Sequence, residues 1–149
     1  MKQIRGLAGR MNNIELQSKI MSTAKYLSVV ESLIACRSKI SITKLIVISY
    51  IYVNNNFDKE IFGSRTKKNL FDKYLALLTM QKEDFLKSFE IVFDCVLILS
   101  ENDYISIGDN IILNKNCKRK ISNNFLEKLL NASNTYSDSQ ILREILNYV

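Results

Sequence analysis

The side chains in this sequence best suited to chemistry are cations. Between Asn110 and Leu126 stand Lys115, Lys118, Arg119 and Lys120 with no acid among them, and Arg65, Lys67, Lys68 and Lys73 form a second concentration. Lysines and arginines grouped in this way replace the counterions of nucleic-acid phosphate and give affinity without reading base sequence. They serve equally as a solvated face that keeps a basic protein dispersed, and their spacing leaves both readings open. The chain as a whole holds 21 basic and 15 acidic residues, a net charge of +6.

Most other chemistries lack their usual residues. The 149-residue chain contains no histidine, the side chain most often used for proton transfer near neutral pH and the commonest metal ligand. Cys36, Cys95 and Cys117 are odd in number and far apart, without the CxxC spacing of a zinc or redox site. They read as reduced thiols, which fits a cytoplasmic compartment. Gly6, Gly9, Gly63 and Gly108 form neither GxxxxGK nor GxGxxG, so no nucleotide loop is expected. The acid pairs Asp58/Glu60 and Glu83/Asp84 fall in a connector and at a helix start, where acids serve solvation or the helix dipole. Asp94 interrupts an apolar segment. An unpaired buried carboxylate is costly, so it is expected at the helix surface or beside a cation. No catalytic residue, cofactor or metal is assigned.

The elements that carry these residues follow from periodicity. Leu16, Ile20, Ala24, Leu27, Val30 and Ile34 recur at helical steps, and Asn12 with Glu15 resembles a capping pair. A helix from Asn12 to about Ser38 is expected, preceded by a mobile basic end, Met1–Arg10. Ser41 is placed to cap a second helix, Ile42 to Val53, so uniformly apolar that protein must surround it, although its β-branched content keeps a strand in view. Phe57–Arg65 reads as a connector. A third helix is expected over Thr66–Thr79 and a fourth over Lys82–Ser100. The fourth is expected to be the most buried, with truncation of Phe89 or Phe93 costing about 3–5 kcal/mol. Tyr104–Ile107 and Ile111–Leu113, separated by Gly108-Asp109-Asn110, predict a hairpin with Gly108 supplying positive φ. Helices are expected again over Ser122–Asn131 and Asp138–Tyr148, the last opened by the capping-box pattern Ser137 to Gln140.

The length suits one domain, and the longest apolar runs, about nine residues, fall short of the roughly 20 that a membrane span needs. The expected fold class is mainly α: a winged-helix-like core of helices plus one β-hairpin over 41–115, an N-terminal helical extension over 1–40 and C-terminal helices over 116–149. A winged helix that reads sequence presents polar side chains to base edges, and Lys82–Ser100 is too apolar for that role.

Four segments taken together, Ser41-Ile42-Thr43-Lys44-Leu45-Ile46-Val47-Ile48, Ser64-Arg65-Thr66, the apolar helix ending Leu97-Ile98-Leu99-Ser100-Glu101, and the hairpin Tyr104–Ile107 to Ile111–Leu113, give the chain a family likeness. Over about Ser41 to Leu113 it resembles the small middle component of three-component ABC-ATPase systems, including Lamassu-type anti-phage defence. The resemblance implies a non-catalytic subunit that binds a large SMC-like ATPase and helps couple its DNA sensing to a separate effector, often a nuclease. It implies no active site here. DNA contact is expected of Arg65, Lys67, Lys68, Lys115, Lys118, Arg119 and Lys120, and docking of apolar helix patches. The alternative is an independent winged-helix DNA-binding regulator, with an enzyme a distant third.

Overall fold

The computed structural model describes residues 2–54, 67–118 and 124–147, with side chains described over 12–54, 71–118 and 125–146. In chain order the elements are α1 (Lys2–Cys36), β1 (Lys39–Ser41), α2 (Ile42–Asn54), α3 (Lys67–Met80), α4 (Lys82–Glu101), β2 (Ile105–Ile107), β3 (Ile111–Asn114), α5 (Asn124–Ser133) and α6 (Asp138–Asn147). The protein is mainly helical, with a small antiparallel sheet in the order β1-β3-β2.

The core is organised around α2. Its residues Leu45 to Ile51 are buried without interruption, and α1, α4, α5, α6 and β1 all pack against it. The Ser41 hydroxyl accepts from the Lys44 amide at 3.2 Å, so the expected cap starts the helix and the β-branched run is helical. At the other end Asn54 Nδ2 donates to the Tyr50 carbonyl at 3.1 Å and to Tyr26 Oη on α1 at 2.7 Å, satisfying a terminal carbonyl and tying two helices together. Val30, Leu33 and Ile34 of α1 are fully buried, as are Leu129 on α5 and Ile141 on α6, so both ends of the chain contribute to one core.

Three expectations need correction. The first helix does not begin at Asn12, and the expected mobile end is helical from Lys2; with no proline before Asn12, nothing stops the helix from continuing past the cap-like pair. The hairpin is joined by a third strand, with Lys39 opposite Leu113 and Ile40 opposite Ile112. The fourth helix is not the most buried. Phe85, Ser88, Val92, Cys95, Val96 and Leu99 make its inner face, while Phe93 is 46% exposed and Phe89 only partly buried. Successive residues turn by about 100°, so apolar side chains adjoining Val92 need not share its face.

The hairpin differs from expectation in detail as well. Gly108 does not have positive φ; Asn110 does, at 58°, asparagine being one of the few other residues that tolerate that region. α4 ends in a Schellman motif. Asp103 adopts φ 60°, the Tyr104 amide donates to the Leu99 carbonyl at 2.9 Å and the Asp103 amide to the Ser100 carbonyl at 3.1 Å, the paired bonds that define this stop. The capping box on α6 forms as expected: Gln140 N donates to Ser137 Oγ at 3.2 Å and Ser137 N to Gln140 Oε1 at 2.8 Å.

Replacing Ile48, fully buried on α2, with alanine is expected to cost about 2–5 kcal/mol in urea unfolding, whereas Phe93→Ala should cost about 1 kcal/mol or less. Equal losses would refute this assignment of inner and outer faces. Tyr74 provides a second check. Its hydroxyl is buried without a hydrogen-bond partner among the described residues, and burial pushes its pKa up to about 12. The unfolded chain therefore releases this proton more easily, near pH 10, so the contribution of neutral Tyr74 is complete below about pH 10 and declines as pH rises toward 12. Tyr74→Phe should be neutral or stabilising by up to about 1 kcal/mol at pH 7 and should move alkaline unfolding, followed by circular dichroism, to higher pH.

Candidate docking face

α1 and α4 pack side by side. Lys19 Nζ stands 3.7 Å from both Glu90 and Asp94 carboxylate oxygens, and the Cys95 thiol donates to the Thr23 carbonyl at 3.5 Å. Asp94 thus meets both expectations, lying at the helix surface and beside a cation. Such exposed pairs contribute little to stability, typically about 0–1 kcal/mol.

On the outer side of this pair lies a groove of about 590 Å³ lined by Leu16, Ile20, Ala24, Leu27, Leu97 and Ile98, with Lys19, Asp94 and Glu101 at its edges. Its apolar side chains are well exposed: Leu16 56%, Ile20 58% and Leu97 53%. Leu86 and Phe93 extend the exposed apolar surface along α4, sharing a stripe with Leu97 at helical spacing. A contiguous exposed apolar patch of this kind marks an interaction surface more often than isolated exposed residues do. The face is also acidic. Asp94 and Glu101 line its edge and Glu90 stands beside Lys19, three acids against one lysine in a chain whose net charge is +6.

The cations singled out in the sequence lie elsewhere. Lys115 and Lys118 are exposed just after β3, and the Lys115 amide donates to the Tyr104 carbonyl at 3.0 Å. Lys67 and Lys68 belong to the start of α3, and their side chains lie outside those described; Arg65, Arg119 and Lys120 lie outside the described residues altogether. α3 packs on α5 and α6, whereas β3 packs on its two neighbouring strands and α1, so the two groups have different surroundings. The structure adds a basic group that sequence reasoning missed: Arg37, Lys39 and Lys44 line one recess of about 550 Å³ together with Ser41 and Asp138. Arg37 donates to Asn131 Oδ1 at 2.8 Å, and the Ser41 hydroxyl donates to Asp138 Oδ1 at 2.8 Å. The three cations belong to a helix end, a strand and the next helix, a junction that no single period reveals.

Among the described residues no cluster of three or more potential ligands could hold a metal ion, and no helix is long and apolar enough to cross a membrane. Glu83 and Asp84 are exposed in the first turn of α4, where acids complement the helix dipole, and Asp58 and Glu60 lie outside the described residues. Burial pushes the Cys95 thiol up to about 12, with Asp94 nearby adding to the shift, and burial followed by the charge of Glu31 raises Cys117. Both are poor nucleophiles, because the thiolate is the reactive form. Comparison of the chain with protein-family models, curated proteins and solved structures returns no match.

A thiol-labelling reagent applied at about pH 8 should therefore modify the half-exposed Cys36 rapidly and the other two only on unfolding. Rapid labelling of Cys95 in folded protein would contradict its placement between α1 and α4.

Proposed function

We propose that this chain is a non-catalytic accessory subunit that binds an SMC-like ATPase in a bacterial anti-phage defence complex and couples it to an effector nuclease. The observation that carries the reading is the apolar, acid-edged face of α1 and α4. A helix fourth in line and followed at once by a hairpin holds, in a winged-helix-like core, the place from which such folds read DNA. The first strand after the first long helix, paired beside the last, fits the same arrangement. Yet Leu86, Phe93 and Leu97 stand exposed on α4 among five acids. Acids repel phosphate and leucines offer no hydrogen bonds to base edges. The face suits protein.

DNA contact in this reading falls to cations away from α4: Lys115 and Lys118, together with Arg65, Lys67, Lys68, Arg119 and Lys120, and with Arg37, Lys39 and Lys44 in their recess. That recess is also the observation that favours the second reading, an independent winged-helix DNA-binding regulator.

The test is a tagged pull-down from the native host, with nuclease-treated lysate to remove nucleic-acid bridging and mass spectrometry of what remains bound. Stoichiometric recovery of an SMC-like ATPase is expected, reduced roughly tenfold or more by Leu97→Glu, as when an interface hot spot is lost. Recovery of no protein partner, under conditions that preserve other complexes, would overturn the subunit reading in favour of the regulator.

A further inference from the structure

We infer that the groove between α1 and α4 seats an amphipathic helix of another protein, one whose apolar stripe is bordered by lysine or arginine. This rests on the reading of the chain as a docking subunit and names the chemistry of what docks. Two packed helices leave between them a furrow that suits a third, with side chains at three- and four-residue steps as anchors. The floor supplies the complement: Leu16 and Ile20 one turn apart on α1, and Leu97 and Ile98 on α4. From Leu16 to Leu27 the furrow runs about 16 Å along α1, some three helical turns.

α1 also continues beyond it. Leu16 is the first residue of α1 to line the groove, and the helix backbone extends from there back to Lys2. Residues 12–21 are all exposed. A helical stretch without a packed face is marginal in water, and an occupant lying along it would supply that face.

Charge chooses the occupant. Glu90, Asp94 and Glu101 flank the apolar floor, and the cation among them, Lys19, is already shared between Glu90 and Asp94. A basic flank gains from these carboxylates, whereas an acidic helix, a phosphate backbone or an anionic membrane is repelled. A second copy of this chain fits poorly. Two-fold pairing through the face would set the same acids against one another, because both partners of such an interface present the same patch.

The test uses the full chain and two synthetic peptides of about 18 residues, five turns of helix, sharing one leucine stripe and differing only in lysine or glutamate flanks. Binding is read by fluorescence anisotropy. The lysine peptide is expected to bind at least about tenfold more tightly than the glutamate peptide, and to weaken as salt rises from about 0.05 to 0.5 M. Leu97→Glu should abolish binding. The double variant Glu90→Lys/Glu101→Lys, at two exposed positions, should remove the preference while leaving the thermal melt unchanged. Equal affinity for both peptides, or a lysine preference that survives the double variant, overturns the inference. A concentration-dependent dimer in sedimentation that Leu97→Glu dissolves also overturns it, assigning the face to a second copy. Failure of the peptides alongside stoichiometric recovery of an ATPase removes the groove assignment alone, whereas peptide binding with no partner recovered removes the subunit reading alone.

Discussion

A helix with no polar side can exist in water only if other elements enclose it, and α2 is such a helix. Seven consecutive residues from Leu45 to Ile51 are buried, two of them polar. Tyr50 carries its hydroxyl out to Gln81 Oε1 at 3.0 Å, while Ser49 Oγ has no partner among the described residues, a cost accepted at the centre of the core. Enclosing one helix takes neighbours on every side, and they come from the whole chain: α1 and β1 from before it, α4, α5 and α6 from after it. The terminal helices are structural for this reason. Phe125, Leu129 and Leu130 on α5 and Ile141 and Ile145 on α6 are buried, and burial of one such side chain is worth about 1.5–3 kcal/mol.

The ties between these elements sit where helices begin and end. Asn54 joins the end of α2 to Tyr26 of α1, Gln81 receives Tyr50 between α3 and α4, and Ser41 joins the start of α2 to Asp138 at the start of α6. Helix termini carry the unpaired backbone groups and the side chains that cap them, so polar contacts there leave the helix faces free to be apolar. α2 uses that freedom inwardly. α4 uses it on both sides, burying Phe85, Val92 and Leu99 while exposing Leu86, Phe93 and Leu97. Only the inner set is explained by the shell around α2, and the outer set is what the proposed docking would cover.

This difference marks the limit of what could be read from the residues alone. The enclosed helix, the third and fourth helices, the hairpin and the Ser137–Gln140 cap were legible because each rests on local spacing or on one capping pair. The strand Lys39–Ser41 was not. It is three residues long, too short for a period to show, and its partners lie seventy or more positions away. The division of α4 into inner and outer faces was hidden because apolar residues occupy both, and hydrophobicity identifies a buried face only where a polar one opposes it. The same missing strand concealed the recess, since Arg37, Lys39 and Lys44 meet only once β1 has paired with β3. Lys115 and Lys118 were visible as a charge run, but the docking face carries no run at all: its acids are spaced along α4 between leucines.

The distribution of charge then follows a simple constraint. A basic protein that must meet a protein partner beside nucleic acid would bind phosphate through any surface on which cations accumulate. In the proposed subunit, Asp94 and Glu101 at the edge of the apolar face would exclude phosphate from it while leaving the cations near β1 and β3 available. The acids at the groove belong to α4, whereas these cations belong to the junctions flanking the sheet. In the proposed subunit, occupation of one surface need not compete with the other, because each repels what the other attracts. A coupling role asks for that property: a component that relays between a DNA-sensing ATPase and an effector must hold both contacts at once.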